Sequence, residues 1–126
     1  MKTLPIIGFI LAAFLATAGP VHAANDVDGK AIVCGGNYIV FEEGQAVKHL
    51  IEGYSKTTDY PQNYKLFGTG RVYWKDHRGY NHHLDRQTLK LSIGDNPRVQ
   101  CRLSSKAEIL DTLDRIIAAG KKKNKI

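Results

Sequence analysis

The chain has 126 residues, 43% of them hydrophobic, with 18 basic and 12 acidic side chains and a formal net charge of +6. That is enough for one compact domain and too little for two, which excludes a multidomain enzyme. The charge is not spread over the body: Lys2, Lys121, Lys122, Lys123 and Lys125 stand at the ends, and between Ala24 and Gly120 thirteen basic residues face twelve acidic ones. A nearly neutral domain therefore carries a basic tail over residues 121–126, and nothing in the balance points to a specific nucleic-acid binder.

Residues 1–23, MKTLPIIGFILAAFLATAGPVHA, read as a secretory signal. Lys2 supplies the basic start, the run from Leu4 to Ala18 the apolar region, and Val21-His22-Ala23 the small-residue cleavage site. The apolar run is shorter than the roughly 20 residues that span a bilayer. The expectation is cleavage after Ala23, no transmembrane segment in the mature chain, and a periplasmic or secreted location. An oxidising compartment makes a disulfide available, and the chain has two cysteines, Cys34 and Cys101. They are read as one bridge closing nearly the whole domain.

From residue 24 to residue 104 short apolar or alternating runs are separated by Gly, Asn, Asp and Pro, which is the strand-and-turn pattern. Strands are predicted over 30–34, 38–41, 46–51, 64–67, 71–75, 80–85, 88–93 and 98–103. The polar stretch 53–63, with Tyr54, Tyr60 and Pro61, is predicted as a loop. The period then changes. Ser105-Lys106-Ala107-Glu108 is a capping box, and Ala107, Leu110, Leu113 and Ile117 recur at helical spacing, so a helix is expected over 105–119 with Gly120 as its stop. The fold class is mainly β: a small antiparallel barrel or twisted meander sheet of 6–8 strands with one C-terminal α-helix.

Turn chemistry assigns faces. His77-Arg78-Gly79 suits a three-residue hairpin loop with glycine in the left-handed position, which sets Trp74 opposite His82 and Val72 opposite Leu84. A turn centred on Arg86-Gln87 then sets Leu84 opposite Leu89 and His82 opposite Leu91. One face collects Val72, Trp74, His82, Leu84, Leu89, Leu91 and Ile93, with Val99, Cys101 and Leu103 joining it. The other carries Arg71, Tyr73, Lys75, Asn81, His83, Asp85, Lys90, Arg98, Gln100 and Arg102. Antiparallel sheets commonly keep one face in water, and a solvated surface is the plain reading of this second face. The functional reading is a binding surface for an acidic partner or glycan, with Arg71, Tyr73, Lys75, His83, Lys90 and Arg102 as candidates.

His82 and His83 are adjacent on a strand and point to opposite sides, so they cannot both hold one ion while the strand is regular. No HExxH, CxxC, GxSxG or phosphate-loop pattern occurs. No catalytic residue, metal or cofactor is assigned, and the protein is read as a non-enzyme. The alternative from another class is a small hydrolase or metal protein using His83 and Asp85.

The segment Gly70-Arg71-Val72-Tyr73-Trp74-Lys75, followed by strands ending at Cys101, resembles the exported bacterial inhibitors of c-type lysozyme, the membrane-bound and periplasmic inhibitor family. The similarity spans roughly residues 30–103 and matches at Cys34, Cys101, Gly70, Tyr73 and Trp74. It implies a small antiparallel barrel, a bridge from an early strand to the last, and a binding contribution from the segment around Tyr73 and Trp74. Lysine follows Trp74 directly instead of after a spacer, and the family's inhibitory serine has no counterpart here. The expected function is a small exported non-catalytic binding module, with inhibition of a cell-wall-degrading enzyme such as lysozyme as its leading specific form. The alternative is an envelope protein holding anionic polymer through Arg71, Lys75, Lys90 and Arg102.

Overall fold

The computed structural model describes residues 25–126, so the signal sequence and its cleavage site lie outside the described residues. Ten strands follow one another: β1 (Ala31–Cys34), β2 (Asn37–Glu42), β3 (Gln45–Glu52), β4 (Ser55–Thr58), β5 (Gln62–Asn63), β6 (Lys65–Phe67), β7 (Arg71–Lys75), β8 (Asn81–Asp85), β9 (Lys90–Ile93) and β10 (Val99–Ser104). Helix α1 (Lys106–Lys123) closes the chain. The strands form one antiparallel sheet in the order β4-β3-β2-β1-β10-β9-β8-β7-β6, with β5 beside β3, curled into a half-barrel.

Ten strands exceed the 6–8 expected, because the polar stretch 53–63 contributes β4 and β5. Ser55–Thr58 pairs with β3 through its backbone, from Glu52↔Ser55 to His49↔Thr58. An edge strand of this kind is specified by ladder hydrogen bonds and needs no apolar alternation to announce it.

The tight turns follow from local chemistry. Glu43 and Gly44 both have positive φ, 53° and 73°, the mirror-image turn whose twist matches its flanking strands. In the β7–β8 hairpin the backbones of Asp76 and Tyr80 close around His77-Arg78-Gly79, and Gly79 sits at φ 91°. That loop produces the expected register, Trp74 opposite His82 and Val72 opposite Leu84.

The next turn differs from expectation. Leu84 faces Leu91 and His82 faces Ile93. The Leu89 amide donates to the carbonyl of Asp85, Leu89 itself lies at φ 59°, and the Asp85 carboxylate accepts from the amides of Gln87 and Thr88. An aspartate that caps the turn's own amides favours this wider loop over a two-residue one. The pairing moves by two residues, so every side chain keeps its face.

The core lies inside the curl. Ile32, Cys34, Ile39 and Phe41 from the first half meet Val72, Trp74, Leu84, Leu91 and Cys101 from the second. Phe41 packs edge-on to Tyr64 at 5.4 Å and to Trp74 at 5.5 Å between ring centroids. The Tyr64 hydroxyl donates to Asp28 at 2.5 Å and accepts from Asn25, and burial together with the neighbouring Asp28 pushes its pKa up. Cys34 stands directly opposite Cys101 and the two form a disulfide. Leu103 does not join this core and is 60% exposed. The β9–β10 pairing covers only Val99 and Gln100, so β10 runs on past its neighbour and Leu103 faces the open side of the half-barrel.

Helix α1 lies on the outer face of the first strands, where Ile109 and Leu113 pack against Ala31, Val33 and Val40. Ser105 is its N-cap and accepts from the Glu108 amide; the Glu108 carboxylate takes the Ser104 hydroxyl. Instead of stopping at Gly120, the helix runs to Lys123. Three lysines of the basic tail therefore form its last turn, where positive charge complements the macrodipole. Lys121 lies 5.5 Å over the Tyr54 ring, and Asn124 hydrogen-bonds the Tyr54 hydroxyl, tying this end to the β3–β4 turn. Salt bridges Lys106–Glu42 and Lys56–Asp114 border the interface. This helix is not long and apolar enough to cross a membrane.

Candidate functional site

Because α1 covers β1–β3, the outer face of β6–β10 is left bare. Strand alternation places Lys65, Tyr73, His83 and Ser92 in one row across it, through the pairs Lys65↔Tyr73, Tyr73↔His83 and His83↔Ser92. The Tyr73 ring lies 4.8 Å from His83 and 5.7 Å from Phe67, so an aromatic ladder crosses three strands. Phe67 is 53% exposed at the edge. The Tyr73 hydroxyl donates to Asn81 at 2.8 Å, which fixes the middle ring.

Next to the ladder is a shallow hollow of about 50 Å³ lined by Arg71, His83, Asp85, Lys90, Ser92 and Arg98. Of the six candidates read from the sequence, Arg71, His83 and Lys90 line it, and Tyr73 packs against His83 beside it. Lys75 lies one row further along β7, opposite Asn81, and Arg102 is opposite Val33, beside β1. Neither lines the hollow. Three contributors were absent from that set. Arg98 falls on the same face by alternation, Ser92 follows from its register with His83, and Phe67 becomes visible only once β6 is known to pair with β7.

The hollow is positive. No ion pair among the described residues uses Arg71, Lys90 or Arg98. Its single carboxylate, Asp85, is held below its usual range by hydrogen bonds from the amides of Thr88 and Gln87, with Arg71 adding attraction. Asp85 thus caps a turn, and the His83 ring packs against Tyr73 at a tilt of 41°. The arrangement can hold an anionic group against cations with a row of tilted aromatic rings beside it.

His82 leads elsewhere. Its ring stacks on Trp74 at 5.0 Å and 14°, inside the curl, and its Nε2 lies 3.1 Å from Asp76 Oδ2. Burial works against ionisation of Asp76, but hydrogen bonds from His82 and from the amides of Tyr80 and Arg78 outweigh it and hold its carboxyl below the usual range. The two adjacent histidines therefore line different cavities, His82 at one end of the half-barrel and His83 outside. The Asp76–His82 pair was not visible in the sequence; the available signal was an aspartate opening a glycine-containing hairpin loop. Among the described residues no three His, Cys, Asp or Glu side chains converge as a group that could hold a metal ion.

Comparison with protein-family models, curated proteins and solved structures finds no match to this chain.

Proposed function

We propose that this chain is an exported, non-catalytic binding module that holds an anionic polysaccharide of the cell envelope on the outer face of β6–β10. The observation that carries the reading is the Phe67–Tyr73–His83 ladder flanked by Arg71, Lys90 and Arg98, on the part of the sheet that α1 leaves uncovered. A row of aromatic rings offers apolar surface to the C–H groups of sugar rings, and cations beside it that have no ion pair among the described residues offer charge to carboxylate or sulfate groups. The disulfide between Cys34 and Cys101 accords with an oxidising compartment.

Attraction between exposed charges is screened by salt, so retention on an immobilised anionic polysaccharide such as heparin should be salt-sensitive. The triple variant Arg71→Ser, Lys90→Ser, Arg98→Ser is expected to elute at clearly lower salt than the parent, and Tyr73→Ala to weaken retention at every salt concentration. Unchanged elution of the triple variant would refute the proposal.

The second reading, inhibition of a lysozyme, rests on the resemblance at Gly70–Lys75. Trp74 is only 4% exposed and Val72 is buried too, which leaves Arg71, Tyr73 and Lys75 as the side chains that make contact from that segment. A cationic enzyme meeting a cationic face is mismatched. Among the acidic residues that could serve instead, Glu42 is already paired with Lys106. Lysis of a cell-wall suspension by lysozyme, slowed by the purified domain, would favour this reading over the first.

A further inference from the structure

The hollow beside the aromatic ladder lies over the two middle strands of the bare face. His83 on β8 is paired directly with Ser92 on β9, and Asp85 and Lys90 follow two residues along the same strands. Arg71 enters from β7 on one side and Arg98 from the start of β10 on the other. Those two strands are three spacings apart in the sheet, about 14 Å, so the guanidinium groups approach from opposite sides. Arg71, Lys90 and Arg98 are exposed and His83, Asp85 and Ser92 half-buried, so the cations form the rim and the other three the floor. The acid in the floor does not cancel the rim: Asp85 Oδ1 takes the amides of Gln87 and Thr88, and three cations outnumber the one carboxylate.

Size and charge together narrow the ligand. The volume of about 50 Å³ is less than two waters at roughly 30 Å³ each, so no sugar ring enters. There is room for one anionic substituent, with its ester oxygen pointing out of the open side toward a chain lying on the ladder. Anions of that size differ in the oxygens they present. A carboxylate is planar and offers two, whereas a sulfate or phosphate monoester offers three terminal oxygens as a tripod. Three cations on three strands match the tripod, and guanidinium forks suit such oxygens. The Ser92 hydroxyl and the His83 ring add donors from the floor.

Given a polysaccharide-binding outer face, on which this step rests, we infer that the hollow is a subsite for one terminal sulfate or phosphate monoester and selects it over a carboxylate.

Dextran sulfate, dextran phosphate and carboxymethyl dextran share one backbone and differ in the anion. Matched in charge per sugar, each is titrated against the intact, oxidised protein at one ionic strength. One additional charge-assisted hydrogen bond corresponds to about tenfold in affinity, so at least one of the two esters should bind about tenfold more tightly than carboxymethyl dextran. Which of the two binds better tells sulfate from phosphate. The double variant Arg71→Lys, Arg98→Lys keeps the charge count and removes both forks. It should bring the ratio close to one while leaving carboxymethyl dextran binding little changed. Lys122→Ala, on the last helical turn, should keep the parent's ratio. All three positions are exposed, and an unshifted melting temperature verifies the fold of each variant. A tenfold preference that the double variant retains would overturn the inference, and so would equal affinity for the three polymers. Equal but salt-sensitive binding would remove the subsite and leave the outer-face reading standing, whereas binding of none would remove both.

Discussion

His49 shows how one side chain can set a pH limit on this fold. It shares with Val47 and Ile51 the side of β3 on which α1 lies, is 7% exposed, and its Nε2 has no partner. Burial pushes its pKa below the ordinary 6.5, with Glu42 opposing and Lys106 reinforcing the shift. The unfolded chain therefore binds a proton more readily than the folded one. The stability this group contributes is complete above 6.5 and is lost as pH falls from there toward the folded value. Urea unfolding at pH 7.5, 6.0 and 5.0 should show declining stability in the parent and a flatter profile in His49→Leu. Equal slopes in the two proteins would remove His49 from the account. Asp26, Asp76 and Asp85, all held below the usual 3.8, act in a separate window: their contribution is present above that value and is lost below it.

Two features stabilise α1, and their sizes differ. The Ser105 cap satisfies one orphan amide, and Ser105→Ala is expected to cost about 1 kcal/mol. Leu113, 1% exposed against the β1–β2 surface, is a core residue, and Leu113→Ala should cost about 3 kcal/mol through lost transfer energy and a cavity. If urea denaturation found the cap substitution the more costly of the two, the helix would be held by its end and not by its face. The cap was readable from the sequence because a serine three residues before a glutamate at the head of an apolar-periodic run is a local pattern. The passage of the helix through Gly120 was not, because glycine lowers helix propensity by only about 1 kcal/mol and contacts around Tyr54 help to hold the last turn.

At the level of the whole molecule, the bridge joins β1 to β10 across 67 residues of separation. In the chain-entropy model a loop of that length is worth about 4 kcal/mol, a large part of the 5–15 kcal/mol typical of a small domain. Reduction should lower unfolding stability by about that amount. Heparin retention should persist well below the reduced protein's melting temperature, since neither the ladder nor the hollow includes a cysteine. If retention were lost while the fold survived, the bridge would have to shape the outer face directly.

Alternation and turn residues were sufficient to tell which side of the sheet each residue from Arg71 to Arg102 occupies. A strand's period of two makes that a local property, and for the same reason the two-residue slip at Asp85–Leu89 changed partners without changing faces. The cysteine pair and the helical period were likewise legible in the chain alone. Three matters waited for the tertiary structure: the polar edge strands β4 and β5, the half of the sheet that α1 covers, and the contacts that make a site. Strand offset, edge pairing and helix placement depend on backbone hydrogen bonds and on packing between segments far apart in sequence. Arg71, Tyr73, His83 and Lys90 could thus be assigned to one face from the sequence, but their meeting with Phe67, Ser92 and Arg98 could not.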